Sequence, residues 1–370
     1  MRDEDYILIQ CQNGWGLDKL AEGILKEAGY SVEVSSQKTV ENKSKLTARI
    51  STKLKALGFG EAGSDIGAET EASTSSTRIL QPLTLDPGDP NDLAAALSAI
   101  NFNKFIVLED FHYLPQETQE NYSFFLKTLH ERSKICFIIV AVWREENRLI
   151  LLNGDLTGRL VSVDADEWSP EELREVIASG EALLNISFSE DFKRDLLKWC
   201  LGSVYIVQEC CRKVCEEQSI VETQGTHKEI QPLEEAFDYV LAVALESGPR
   251  YEAFIENFAE GFQTTTLDMY RWLLHPILST TILQLEKGLN YRKIREALEN
   301  VHPEGSNLNP GNVTQALYSV PALQAKKNIK PFVLDYDKSN KLLSVVDRGF
   351  LIWLSTQDRP ELLNRLNLPC

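Results

Sequence analysis

Apolar residues in this chain recur at two spacings, and the spacings divide it into elements. Tyr6 to Cys11 is a short β-like run, after which Leu17, Leu20, Ala21, Ile24 and Leu25 follow at helical spacing. A strand and a helix therefore open the sequence. Lys38 to Thr77 gathers Ser, Thr, Gly, Glu and Lys, softest at Gly58-Phe59-Gly60 and Ser73-Thr74-Ser75-Ser76-Thr77, and reads as a flexible surface insertion. Asp86-Pro87-Gly88-Asp89-Pro90 marks a turn, and Asn91 and Asp92 can cap a helix through Leu93 to Ile100. Phe105-Ile106-Val107-Leu108 is wholly apolar, ends in Glu109 and Asp110, and turns at Phe111-His112-Tyr113. Gln116 to Arg132 reads as a helix, Ile135 to Val142 as a buried strand and Leu160 to Val163 as a further one. Strands this apolar need cover on both faces, so the alternation predicts an α/β fold with a doubly wound, mainly parallel sheet over residues 1–167.

From Trp168 the pattern changes to helices. Ser169-Pro170-Glu171-Glu172 combines an N-cap, Pro in the first turn and acids against the helix dipole, and Ser189-Glu190-Asp191-Phe192 starts a second helix in the same way. A third helix spans Val204 to Cys215, and the polar residues Glu216 to Gln231 read as a linker closing an all-α segment, 168–231. Connecting helices fill 232–266. In 267–370 a helix Tyr291 to Asn300, a loop His302 to Asn309, a helix from Asn309-Pro310 through Leu323 and a hairpin follow one another. The hairpin pairs Phe332 to Asp335 with Leu342 to Val346 across Lys338-Ser339-Asn340. Helix, loop, helix, hairpin is the order of a winged helix-turn-helix.

Charge changes the picture of possible partners. The 38 basic and 55 acidic residues leave a net charge of −17, which argues against a general affinity for phosphate backbones or anionic membranes. From Leu267 onward 13 basic residues face 10 acidic ones, so this third carries +3 and residues 1–266 carry −20. Seven cysteines, without paired C-x-x-C clusters, read as reduced, mostly buried thiols of a cytoplasmic protein. Met1-Arg2-Asp3-Glu4-Asp5 is not a secretory leader, and no apolar stretch reaches the length of a membrane span.

The candidate chemistry centres on Glu109 and Asp110, two carboxylates at the end of a buried strand, where parallel sheets place their ligands. Such a pair can divide the work of nucleotide hydrolysis, one acid holding hydrated Mg²⁺ and the other orienting the attacking water. The plain alternative is a pair of capping or surface acids. Asn153-Gly154-Asp155-Leu156-Thr157-Gly158-Arg159-Leu160 places Arg159 just before a predicted strand, either reaching a neighbouring subunit's γ-phosphate or solvated on its loop. His112 and Arg144 are candidates for sensing nucleotide, each with a solvated alternative. Cys211 and Cys215 share a helical face but lack a completing ligand set, so core packing explains them. Arg292, Lys293 and Arg295, with Lys326, Lys327, Lys330, Lys338 and Lys341, could grip DNA phosphates. Asp335, Asp337 and Asp347 interrupt them, and the same unit could bind protein instead.

Taken together, Ile106-Val107-Leu108-Glu109-Asp110-Phe111-His112, the helix start Trp168-Ser169-Pro170-Glu171-Glu172-Leu173 and the winged end resemble bacterial AAA+ or STAND-type P-loop ATPases. The resemblance is to members with an initiator-like order of ATPase core, helical lid and carboxy-terminal winged helix. It implies ATP and Mg²⁺ as cofactors, with Glu109 and Asp110 as the Walker B acids and Arg159 acting in trans. It further implies a homo-oligomer or a protein partner, and a nucleotide-dependent switch or motor acting on protein or DNA. The alternative is a non-hydrolytic pseudo-ATPase scaffold or winged-helix adaptor.

Three features depart from that family. The phosphate loop G-x-x-x-x-G-K-[ST] has no match, because Gly-Lys-Ser/Thr occurs nowhere in the chain. The acids come in the order Glu-Asp rather than Asp-Glu, and Ser203 to Cys215 offers no basic residue before Arg212 as a second sensor. In the family the loop follows the first core strand, whereas Tyr6 to Cys11 resembles the second. A sheet without its central strand forfeits burial worth about 25 cal/mol per Å². The expectation is therefore that the loop lies upstream of Met1 in a longer form of the protein, where an in-frame G-K-[ST] segment would confirm it.

Overall fold

Alternation in β1 (Tyr6–Gln10) buries Ile7 and Ile9 and turns Leu8 outward. The computed structural model describes residues 5–35, 45–50, 83–143, 148–166, 168–263 and 265–370, with backbone alone for 33–35, 45–50 and 83–84. It divides into a unit of residues 1–142 with 147–161 and a unit of residues 162–370 with 143–146.

In the first unit, β2 (Tyr30–Ser35), β3 (Lys45–Ile50) and β4 (Leu83–Leu85) form an antiparallel sheet, with Tyr30 opposite Ile50 and Ala48 opposite Leu83. Part of the expected insertion is thus a strand, while the rest of 38–77, with its Gly58 and Ser73 runs, lies outside the described residues. A parallel sheet joins β1 to β5 (Phe105–Glu109), from Tyr6 opposite Phe105 to Gln10 opposite Glu109. β5 joins β6 (Phe137–Ile139) on its other side, in the order β1-β5-β6.

That order advances in one direction, and right-handed crossovers then place both connections on the same face. Helices Leu17–Glu27, Pro90–Ala99 and Gln116–Arg132 accordingly pack on one another, burying Leu20, Ile24, Leu97 and Leu129. On the other face Leu8 and Phe105 are 45% and 40% exposed. The described residues thus show three parallel strands in one order with helices packed on one another beside them, the mainly parallel α/β layer that was expected, and no reversal of strand order among them. Two strand expectations shrink. Ile135 to Val142 contributes only Phe137–Ile139, and Leu160 to Val163 pairs with none of the described strands, leaving Val161 91% exposed. Alternating β-branched residues supply strand propensity, but a strand also needs an edge to join.

The second unit is mainly helical. Ser169 and Glu172 close a reciprocal capping box on helix Pro170–Leu184, and Ser189 and Ser203 cap helices Glu190–Trp199 and Val204–Glu217. β7 (Ile186–Phe188) pairs in parallel with β8 (Lys228–Ile230), which falls in the segment expected to be a linker. Farther on come helices Ala236–Glu246, Gly248–Glu260 and Met269–Ser279. β9 (Leu289–Asn290), helices Tyr291–Val301, Pro310–Tyr318 and Val320–Lys326, and then β10 (Leu334–Asp337) and β11 (Leu342–Val345) follow. The last three strands form an antiparallel sheet ordered β10-β11-β9. The helix expected from Asn309 to Leu323 breaks at Ser319, because Pro321 lacks the amide that would continue its ladder. One hydrophobic core runs from Leu173 to Leu368. No described helix is long and apolar enough to cross a membrane.

Gln324 ties this unit's last sheet to its helices. Fully buried, it accepts from the Val333 and Leu334 amides at 2.9 and 3.1 Å and donates to the Leu334 carbonyl at 2.7 Å. Gln324→Leu keeps the volume but strands two amides, so thermal unfolding followed by circular dichroism should show a loss of about 2–4 kcal/mol.

Candidate functional site at the carboxyl end of the parallel sheet

Burial of Ile106 and Leu108 holds β5 in the middle of its sheet and delivers Glu109 and Asp110, both half-buried, at its carboxyl end. The Cys11 amide donates to the Glu109 carbonyl at 2.8 Å, and the Phe111 amide to the Val140 carbonyl at 3.1 Å. Between them Asp110 takes a left-handed backbone (φ 58°, ψ 29°), a conformation Asp tolerates better than most residues. It starts the short 3₁₀ turn Phe111–Tyr113 and accepts from Gln10 Nε2 at 3.2 Å.

Beside these acids β1 runs through Cys11-Gln12-Asn13-Gly14-Trp15-Gly16 into helix Leu17–Glu27. Gly14 has φ 83°, and Thr118 Oγ1 donates to the Trp15 carbonyl at 2.9 Å, fixing the turn. Sequence reasoning placed this strand and helix but gave the loop between them no role. Laid on the eight-residue frame G-x-x-x-x-G-K-[ST], Cys11 to Asp18 keeps one of its four fixed positions, the glycine at the sixth, although β1 was expected to match the family's second strand. Leu17 stands at the lysine position and Asp18 at the hydroxyl position. Asp18 folds back over the helix start, such that a Cβ on Gly16 would lie 2.8 Å from its Oδ1.

The helix start borders a cleft of about 450 Å³ that Asp18, Asp86, Glu117, Thr118 and Asn121 help to line, without a basic residue. A phosphate chain brought here meets three carboxylates and no counter-charge, and the field of a helix N-terminus is already occupied by Asp18. Mg²⁺ is ordinarily held by one or two carboxylates together with substrate phosphates. Among the described residues, this cleft therefore offers a phosphate chain no counter-charge.

The other candidates are not gathered around the acids. His112, expected on the rim, is buried, its ring lies 4.0 Å from that of Tyr113 at a tilt of 44°, and its Nδ1 accepts from the Val142 amide at 3.4 Å. Its Nδ1 thereby holds the backbone just beyond β6. Arg144 lies outside the described residues. Arg159 pairs with Glu131 at 2.7 Å, next to the Lys127–Asp155 pair at 2.6 Å. Glu131 is nearly at the end of a helix that starts beside the acids, about 20 Å along its axis. Arg212 pairs with Glu209 on its own helix at 2.6 Å. Among the basic residues near the carboxyl terminus, Arg292, Arg295 and Lys327 pair with Glu296, Glu299 and Glu260, and Lys338 lies over the Tyr318 ring. Helix Pro310–Tyr318 carries no charge at all.

Cys11, at the start of the loop, is buried, and burial together with the Asp110 charge pushes its thiol up to about 12. At pH 8 only about 1 in 10⁴ molecules would hold it as thiolate. Iodoacetamide should therefore modify exposed Cys136 and Cys370 and spare Cys11 until the chain unfolds, as peptide mass mapping would show.

No known family's sequence profile and no curated protein matches the chain. Among solved structures it is similar to the Thermotoga maritima RuvB Holliday junction branch migration motor, at TM-score 0.29 and 13% identity over 70% of this chain and 73% of that one. A point variant of that RuvB aligns at TM-score 0.30 and 14% identity over 94% of this chain and 86% of that one. Likenesses of this order establish neither fold nor function.

Proposed function

We propose that this chain is an AAA+/STAND-like protein whose ATPase-type core works as a non-hydrolytic scaffold for a protein partner. The loop Cys11–Asp18 carries the proposal, because, following β1 at the same end of the sheet as Glu109 and Asp110, it presents Leu17 and Asp18 to an acidic cleft and carries no basic residue. In the carboxy-terminal part, the order β9, helices, β10, β11 supports a winged helix used for protein contact, since its middle helix is uncharged and Arg292, Arg295 and Lys327 beside it are held in ion pairs.

A second reading, a hydrolysing ATPase, is favoured by the placement of Glu109 and Asp110 at the carboxyl end of the sheet's middle strand. Titration calorimetry with Mg·ATP separates the two. The scaffold predicts no binding heat at millimolar nucleotide. Binding together with phosphate release that Glu109→Gln abolishes would overturn it in favour of the ATPase.

A further inference from the structure

Helix Ala236–Glu246, Ala-Phe-Asp-Tyr-Val-Leu-Ala-Val-Ala-Leu-Glu, is apolar around most of its circumference, the pattern of a helix covered on every side. Its own unit buries Ala236, Tyr239, Val240, Val243 and Ala244 and leaves Phe237 and Leu241 half-buried. Phe237, Leu241 and Leu245 recur every four residues as a second stripe, and Leu245 is 47% exposed. Leu233, 72% exposed, extends the apolar surface beyond the helix start, and Trp199 meets Phe237 edge-on at 5.0 Å. Glu234, Glu235 and Asp238 flank the stripe and share with it an open cleft of about 760 Å³. No ion pair engages these three acids among the described residues, whereas Glu246 on the same helix pairs with Lys213.

We infer that this face is a docking site for a basic amphipathic helix of a partner protein. An apolar stripe repeating every turn accepts the i, i+3/i+4, i+7 anchors of a helix laid along it. Three unpaired carboxylates on the flank draw in lysine or arginine and reject acidic surfaces. A second copy of the chain is a poor occupant, because it would set the same acids against each other. The inference stands whether or not the core binds nucleotide.

The test uses the full chain and fluorescein-labelled helical peptides with leucine at the anchor positions and lysine elsewhere, or glutamate in place of the lysine. Fluorescence anisotropy should show the lysine peptide binding, about tenfold more weakly at about 300 mM than at about 50 mM salt, and the glutamate peptide not binding. Leu241→Glu should weaken the lysine peptide about tenfold or more. The combined Glu234→Gln, Glu235→Gln, Asp238→Asn variant keeps the stripe, so it should weaken binding about tenfold and flatten the salt dependence. Absence of binding, equal binding of the two peptides, or affinity unmoved by both variants overturns the site. A dimer in sedimentation that Leu241→Glu dissolves would assign the face to a second copy and overturn it equally.

Discussion

Trp353→Ala is expected to lower the unfolding free energy of the second unit by about 3–5 kcal/mol, the largest stability loss foreseen for a single truncation in this chain. The indole is buried, and its ring lies 5.5 Å from Tyr251 and 5.7 Å from Phe350. Its neighbours are poorly placed to fill the hole. Tyr251 is held by a 3.0 Å hydrogen bond from its hydroxyl to Asp347, which also pairs with Arg250 and caps helix Arg348–Ser355. Gly248 sits so close that a Cβ there would lie 3.3 Å from the indole Nε1, so the backbone is already shaped around the ring. Urea unfolding followed by far-ultraviolet circular dichroism measures the change. A loss below about 1.5 kcal/mol would mean that the aromatic cluster collapses into the space and that the tether at Asp347 is slack.

The second large effect is a gain. The double substitution L17K/D18T puts a cation and a hydroxyl at the two frame positions that now hold Leu17 and Asp18, and makes the loop more positive by two charges. At an effective dielectric of about 20 and separations of about 5 Å, each unit charge is worth roughly 3 kcal/mol against a phosphate oxygen before desolvation. A net gain of about 3 kcal/mol, or about 100-fold in affinity for Mg·ATP, is the expected result by calorimetry. If the double variant binds no better than the parent, the remaining acids Asp86 and Glu117 dominate the cleft, or the frame is a coincidence of spacing.

The elements that the sequence made legible were those with strong local signals. Ser169, Ser189 and Ser203 cap helices where the pattern placed them, and the apolar run Phe105 to Leu108 is a buried strand ending in its two acids. What escaped depends on partners distant in sequence. β8 is three residues of a polar stretch, recognisable only once Ile186 to Phe188 is set beside it, and β9 is two residues that acquire meaning from Leu342 and Leu343. The site was half legible for a similar reason. Glu109 and Asp110 announce themselves, but Asp18 gains significance only when pairing of β1 with β5 brings its loop to the same end of the sheet. The burial of His112 and the ion pair of Arg159 with Glu131 were likewise not legible, because neither is visible in one dimension.

The left-handed backbone at Asp110 bears on how such a site would drift over evolutionary time. Asn and Gly fit that conformation at little cost, while β-branched residues would lose stability of the order of 1–2 kcal/mol there regardless of any chemistry. Purifying pressure on the backbone alone would thus hold the position to a short alphabet in which Asp is among the commonest letters. An acid persisting at residue 110 among descendants of this gene would testify to the turn before it testified to catalysis. Glu109, whose backbone lies within the regular strand, is the position whose fate would record whether hydrolysis was ever selected for.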